Sequence, residues 1–490
     1  MITRCNISTG YYSGALLLLG SCGFILSCGT KKDTRPNIIF ILSDDHSPAA
    51  ISSYGESMIH TPGIDRIAAQ GTRFTNCFAV VSLSAPSRAA ILTGKYSAVN
   101  SVLRIGDVFD STQVTFPRIL HEAGYQTALF GKWHLRSEPV GFDYYNIIHD
   151  QGNYYDCPVK PSTEEWTMGR GKTIVPEYIT DALTDMSINW IEERDKNRPF
   201  CLLLHHKAPH HPWIVPEKYD SLFADEDLPV PVTFNDDYTG KNRYLLHQPS
   251  RFSKLQFVHS WHFNSPLPER MEAGSLEYKN WAYQEVFKGY YRLVASLDDN
   301  IGRLLDYLQD SGLDKNTMII YMSDNGFFLG DHGLFNKQWM YEESIRIPLI
   351  IRLPGKHMKG QVLDEIVTEL DVSSTILDYA GLKVPPGFQG MSLKPLISGK
   401  SPAEWRRSYF YHYFNQYEVP ENYGIRTQQY KLIHVVYPDS SDWEFYNLEN
   451  DPLEMRNEFN NTEYKEIIDS LKTELHQLKS KYEAIPDQKK

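Results

Sequence analysis

Two acidic pairs each follow an apolar run: Asp44-Asp45 comes after Asn37–Leu42, and Asp324-Asn325 after Thr317–Met322. Such runs read as parallel strands buried on both faces, and ligand sites of α/β sheets lie at the carboxyl ends of their strands. A parallel sheet thus brings three carboxylates and one amide oxygen to a single edge. Oxygen-only ligation suits a hard cation, calcium or magnesium rather than zinc, and the mixed carboxylate and amide set leans towards calcium. Either pair alone is also a common turn or cap sequence. Recurrence at two strand ends is what favours a metal.

Other candidates lie past similar runs. Lys132 and His134 follow Gln126–Phe130 two residues apart, so in extended backbone they face one side and can clasp an anion. The alternative is a surface lysine and a buried, hydrogen-bonded histidine. His205, His206, His210 and His211 follow Phe200–Leu204; no carboxylate or cysteine motif accompanies them, so one acid/base histidine is expected rather than zinc. Lys337, after Gly330-Asp331-His332-Gly333, reads by itself as a solvated side chain. Ser84 to Gly94 reads as a short helix, with Ser84 as cap, Pro86 in the first turn and Gly94 as stop. That reading leaves Arg88, beside the hydroxyls of Ser84 and Ser87, without a purpose.

These residues need an α/β frame. Helices are expected at Ile64–Gly71, Tyr178–Arg194, Val286–Leu308 and Leu370–Gly381, with a further strand at Ile347–Leu353. Residues 217–277 are rich in Pro, Asp and aromatics without periodicity and read as a long loop insertion carrying specificity or a lid. The main domain is expected over 34–400. A smaller one at 401–486 should hold an antiparallel sheet (Ser408–Phe414, Tyr430–Val436, Glu444–Tyr446) and a helix, Glu463–Tyr482, with Tyr464, Ile467, Ile468, Leu471, Leu475 and Leu478 on one face.

A net charge of -12 excludes nucleic acid as a partner and requires any anion site to be local. The 31 Tyr and 9 Trp suit surfaces that stack on sugar rings. Ala15–Leu26 is too short to span a bilayer and sits where a signal peptide's apolar region belongs. Ile25-Leu26-Ser27-Cys28-Gly29 is similar to a bacterial lipobox, making 1–27 the signal and Cys28 the lipidated residue; Leu19-Gly20-Ser21-Cys22 is a rival site. The expected destination is the periplasm or the outer-membrane or cell surface of a bacterium, with a lipid anchor as the sole membrane contact. Beyond the signal only Cys77, Cys157 and Cys201 remain, without metal-ligand spacing, so disulfides do not organise the chain.

Ser84-x-Pro86-Ser87-Arg88, followed by Leu92-Thr93-Gly94, resembles the signature of type I sulfatases, whose first residue, Cys or Ser, is oxidised to formylglycine. Asp44-Asp45, Gly131-Lys132-Trp133-His134, Ala208-Pro209-His210 and Asp324-Asn325-Gly326 resemble the family's further blocks, in the family's order. The resemblance implies an alkaline-phosphatase-like sheet, mixed but mostly parallel and sandwiched by helices, with a smaller C-terminal antiparallel sheet plus helix. It implies calcium held by Asp44, Asp45, Ser84, Asp324 and Asn325, and Ser84 as the 3-oxoalanine (formylglycine) precursor. Arg88 then holds the hydrate, Lys132 and Lys337 bind sulfate oxygens, His134 serves as base and His210 protonates the leaving alcohol. A serine at this position is similar to bacterial enzymes matured by a radical enzyme before export. His206-Lys207-Ala208-Pro209-His210 and Tyr423-Gly424-Ile425-Arg426-Thr427 most resemble N-acetylglucosamine-6-sulfatases and bacterial glycosaminoglycan sulfatases. The rival readings are a phosphodiesterase or phosphonate hydrolase of the same superfamily, and a surface glycan-binding protein with a disabled site.

Overall fold

Every residue of the strand Asn37–Ser43 is buried, because a core lies against each of its faces. Ile38, Phe40 and Leu42 pack with Ile91, Leu92, Phe116 and Ile376 on one side. Ile39 and Ile41 pack with Ile64, Leu183 and Leu297 on the other. The alternation that makes one strand serve two cores is the two-residue period of extended chain. Helices therefore cover both faces of the sheet, with Ser84–Thr93, Phe116–Glu122 and Leu370–Tyr379 opposite Pro62–Gln70, Ile179–Glu193 and Leu276–Asp310. The computed structural model describes residues 33–55, 57–254, 271–272, 274–355 and 360–483; the signal expected over 1–27, with Cys22 and Cys28, lies outside them. By proximity, Arg35–Lys490 form one compact unit.

The main sheet has ten strands, in spatial order Gln361–Leu363, Thr72–Phe74, Leu349–Arg352, Thr317–Ser323, Asn37–Ser43, Phe200–His205, Gln126–Lys132, Tyr144–Ile148, Cys157–Pro161 and Thr173–Val175. The run from Thr317–Ser323 to Tyr144–Ile148 is wholly parallel. Antiparallel partners flank it, Leu349–Arg352 on one side and Cys157–Pro161 on the other. Register aligns Ser43 with Ser323, and both Leu42 and Gly131 with His205. Consequently Asp44, Lys132, His206 and Asp324, each just at or past a strand end, emerge along one edge.

The second sheet is an antiparallel meander, Ser408–Tyr413, Glu421–Thr427, Tyr430–Val436 and Ser441–Asn447. Its Tyr409, Phe410, Ile425 and Leu432 share a core with Phe78, Val80 and Ala90 near the site helix, and with Leu471 and Leu475 of the helix Lys465–Glu483. Among the described residues no helix is long and apolar enough to cross a membrane.

Two local expectations change. Leu83, not Ser84, is the N-cap of the helix Ser84–Thr93 and makes no side-chain cap bond; Ser84 sits in the first turn with its hydroxyl engaged elsewhere, while Gly94 ends the helix at φ 61 as expected. The helix expected from Val286 begins ten residues earlier, at Leu276, capped by Ser275, whose side chain accepts from the Tyr278 N–H. Its added turns bury Tyr278, Ala282 and Tyr283 against Leu228, Phe234 and Phe252 of the insertion. The described insertion is thus packed structure with short 3-10 turns, Glu217–Tyr219, Arg243–His247 and Phe252–Lys254.

Candidate active site

The parallel strands deliver their chemistry to one buried cluster. Ser84 Oγ donates to Asp44 Oδ1 at 3.0 Å. Lys132 Nζ is paired with the other oxygen of that carboxylate. Asp45, in left-handed backbone at φ 66, accepts from Asn325 Nδ2 at 2.7 Å and from Lys337 Nζ at 2.5 and 2.6 Å. The Asp45 N–H donates to Asp324 Oδ1 at 3.2 Å, and Asp324 Oδ2 accepts from Arg88 Nε and Nη2 at 3.0 and 2.9 Å. Arg88 Nη1 donates to the Lys132 carbonyl at 2.7 Å, so one guanidinium joins the site helix to two strand ends. His210 Nε2 lies 3.7 Å from Asp45 Oδ2.

Each acid therefore faces a cation, the arrangement that makes buried charge tolerable. Burial alone would raise the Asp44 carboxyl, but Lys132, His210, Arg88 and Lys337 together hold it well below the usual carboxylate range. Asp324 goes the other way, to about 7, through burial and the neighbouring Asp44 charge. Lys132 is lowered by burial; burial lowers Lys337 too, but Asp45 and Asp44 outweigh it and raise the group. Burial also depresses His210, and pushes His134, with the help of Lys132, down to about 4.

A hydrogen-bond partner fixes the tautomer of His210. His210 Nδ1 is 2.7 Å from the His211 carbonyl, which can only accept, so Nδ1 carries the proton and Nε2 keeps the lone pair. Lys132 Nζ donates to Gln151 Oε1 at 2.7 Å, which turns the Gln151 amide nitrogen, a donor, towards His134 Nε2 at 3.3 Å. His134 Nε2 thus faces both the Gln151 amide nitrogen and, at 3.5 Å, the Asp150 carboxylate, while its Nδ1 is buried without a hydrogen-bond partner among the described residues.

All ten candidate residues thus meet in one cluster. Lys132 is fully buried rather than on the surface, and Lys337, read from sequence alone as solvated, is 6% exposed. Of the histidine run, His210 reaches the acids; His205 Nδ1 is 3.2 Å from the Lys132 carbonyl, and both ring nitrogens of His206 are buried with no hydrogen-bond partner among the described residues. The sequence reading missed Gln151 and Asp150, which follow the next parallel strand, Tyr144–Ile148; the strand-end rule applied there would have found them. It also missed Tyr290, whose hydroxyl donates to the Asp45 carbonyl at 2.8 Å and accepts from Ser47 N at 3.0 Å. Glu369, buried and raised well above the usual range, accepts from Ser87 Oγ at 2.6 Å and from Val80 N at 3.0 Å.

The residues fit a hard cation. Asp44, Asp45 and His210 offer ligand atoms within 4.8 Å of one another. Asn325 Oδ1, an acceptor, is buried with no hydrogen-bond partner among the described residues. An unpaired buried amide oxygen beside three carboxylates is what an oxygen-ligated cation satisfies.

A helix-sandwiched, mostly parallel sheet with this cluster at its carboxyl edge defines an alkaline-phosphatase-like hydrolase. A phosphonate monoester hydrolase of Agrobacterium radiobacter shares that fold, with TM-score 0.72 at 22% identity over 91% of this chain and 96% of its own. The chain belongs to the sulfatase family and is a sulfuric ester hydrolase: the Sulfatase family model matches residues 36–382, and that of the N-sulphoglucosamine sulphohydrolase C-terminal region matches 330–481. An N-acetylglucosamine-6-O-sulfatase of Bacteroides thetaiotaomicron is 41% identical, covering 100% of this chain and 94% of its own. A solved structure in complex with its substrate D-glucosamine-2-N,6-O-disulfate is similar at TM-score 0.85 and 40% identity, over 93% of this chain and 100% of that one.

Proposed function

We propose that this sulfatase hydrolyses sulfate esters of carbohydrates, with the 6-O-sulfate of N-acetylglucosamine in glycosaminoglycan or mucin saccharides as its substrate. The similarity to the N-acetylglucosamine-6-O-sulfatase over nearly the full length of both chains supports this choice. The single observation that carries the mechanism is the 3.0 Å contact between Ser84 Oγ and Asp44, inside a cluster that also holds Arg88, Lys132, Lys337 and His210.

In this reading Ser84 would be oxidised to formylglycine by a serine-type maturing enzyme before export, and Asp44, Asp45, Asp324, Asn325 and the residue-84 oxygen would hold calcium. A hydrated formylglycine would offer a nucleophilic hydroxyl and a second hydroxyl for release of sulfate, and calcium would supply positive charge beside the sulfuryl oxygens. Lys132 and Lys337, now paired with Asp44 and Asp45, bind the sulfate oxygens. Arg88, oriented by Asp324 and the Lys132 carbonyl, neutralises charge beside residue 84. His134 serves as base during sulfate release, its ring positioned between Gln151 and Asp150. His210 is neutral by itself; a sulfate group beside it raises its proton affinity, so that Nε2 delivers a proton to the leaving alcohol.

The exported protein is anchored by lipid at Cys28 on the periplasmic or outer face of a bacterial membrane, with the lipid as its membrane contact. Paired assays on N-acetylglucosamine 6-sulfate and an aryl phosphate diester test the activity. Sulfate release that depends on Ser84 and calcium supports it; faster turnover of the diester, or sugar binding without sulfate release in protein coexpressed with a serine-type maturing enzyme, overturns it.

A further inference from the structure

Beside the catalytic cluster, the residues lining a cleft of about 210 Å³ include Trp133, His134, Arg136, Asp150, Trp166 and Arg170. It shares His134 with the site already described, and its far wall is the Trp166–Arg170 loop. Both arginines are exposed, and among the described residues neither guanidinium donates a hydrogen bond or joins an ion pair. The catalytic cations, by contrast, are each matched to an acid. Asp150 is the acid in the cleft, and it lies 3.5 Å from His134 Nε2. Two arginines against one carboxylate leave the cleft with net positive charge in a protein whose total is -12.

The arginines are held in place by backbone rather than by partners. Arg136 has φ 59, a conformation disfavoured for a residue with a side chain. The turn is fixed on both sides: Trp133 Nε1 donates to the Ser137 carbonyl at 2.7 Å, and the Phe109 and Ser137 N–H groups donate to the Leu135 carbonyl at 3.0 and 2.7 Å. Arg170 N donates to the Thr167 carbonyl at 3.1 Å, and Thr173 Oγ1 ties the loop to Glu164 at 2.6 Å. Tyr417, 52% exposed at the tip of the first hairpin of the C-terminal sheet, stands among the charges of Lys337, Asp150 and Arg136. The cleft therefore combines two unpaired planar cations, which suit tetrahedral or carboxylate oxyanions, with the half-buried indole of Trp166, which suits a sugar ring.

We propose that this cleft is a second anion subsite: Arg136 and Arg170 receive a sulfate or carboxylate substituent of the saccharide other than the ester being cleaved. The proposal rests on the carbohydrate-sulfatase reading above. It makes these arginines specificity residues, outside the bond-breaking machinery.

The test is steady-state kinetics of wild type, Arg136→Ala, Arg170→Ala, the double alanine variant and Arg136→Lys on three substrates. These are glucosamine 2-N,6-O-disulfate, N-acetylglucosamine 6-sulfate, and a disaccharide in which a uronate neighbours the 6-sulfated glucosamine. Loss of charge-assisted hydrogen bonds should raise KM about 10- to 100-fold in the double variant on a substrate whose second anion is bound. On N-acetylglucosamine 6-sulfate both kcat and KM should stay within about 2-fold, and Arg136→Lys should recover part of the loss. A loss confined to the disulfate identifies the anion as a sulfate on the same ring; one confined to the uronate substrate identifies the neighbour's carboxylate. Equal effects on all three substrates, or none on any, overturn the subsite while leaving the sulfatase reading intact. If wild type releases sulfate from none of them, the functional reading fails and the subsite with it.

Discussion

The Ser84 hydroxyl lies 3.0 Å from Asp44 Oδ1, so the first turn of the site helix meets the end of the central strand. This contact explains why Ser84 is not used as the helix cap. Its oxygen is directed into the acid cluster, and the helix leaves its Leu83 cap without a side-chain bond.

Ser84→Ala should therefore abolish sulfate release while the fold persists. The change removes one buried hydrogen bond, worth about 1–2 kcal/mol, and Asp44 keeps its pairing with Lys132. Thermal unfolding of the variant should remain cooperative. Global unfolding would mean that the hydroxyl is structural.

Gln151→Leu should lower kcat about 10- to 100-fold with little change in stability. It cuts the bridge from Lys132 to His134, which holds the imidazole and helps to orient the lysine. A pH–rate profile is the sensitive measurement, since the limb belonging to His134 should move. An unchanged profile and unchanged kcat would show that the bridge is packing only.

Chelation followed by metal addition should move stability and activity together. Binding to the folded state adds about 2.7 kcal/mol at a hundredfold excess over Kd, so calcium should raise the melting temperature of chelated protein. Magnesium should do so only at higher concentration, because it demands stricter geometry. Asn325→Leu should weaken the calcium response, since it removes the amide oxygen that has no hydrogen-bond partner. A melting temperature indifferent to calcium would count against the cation site.

Acid sensitivity has an identifiable source away from the active site. Burial would raise the Asp236 carboxyl, but His332 at 2.7 Å and Lys241 at 2.5 Å bring it down to about 2. A depressed carboxylate stabilises fully above its unfolded pKa, near 3.8, and that contribution is lost as pH falls through about 2. Asp236→Asn should cost about 2 kcal/mol at pH 7 and flatten the decline in melting temperature between about pH 4 and pH 2. Parallel melting curves for variant and wild type across that window would refute the assignment.

Asn37–Leu42, Phe200–Leu204 and Thr317–Met322 are legible in the sequence because strands buried on both faces read as unbroken apolar runs. Asp44, Asp45, Asp324 and Asn325 were legible for the same reason, since they sit directly after two of those runs, whereas Ser84 and Arg88, on a helix, drew their meaning from the family resemblance. Gln151 was harder to see: Tyr144–Ile148 begins with a partly exposed tyrosine and carries Asn146. The early turns of the Leu276–Asp310 helix were hidden because Tyr278 and Tyr283 bury against the insertion, whose own packing shows no period. Lys337 could not be placed from its neighbours at all, because its meaning comes from Asp45, 292 residues away.

The central claim is that Ser84 is the precursor of the reacting group, and the most direct measurement is peptide mass spectrometry across Ser84 after expression with a serine-type maturing enzyme. The account predicts a mass loss of two hydrogens at that residue, with sulfate release rising in proportion to the modified fraction. Full sulfatase activity from protein whose Ser84 is entirely unmodified would contradict it.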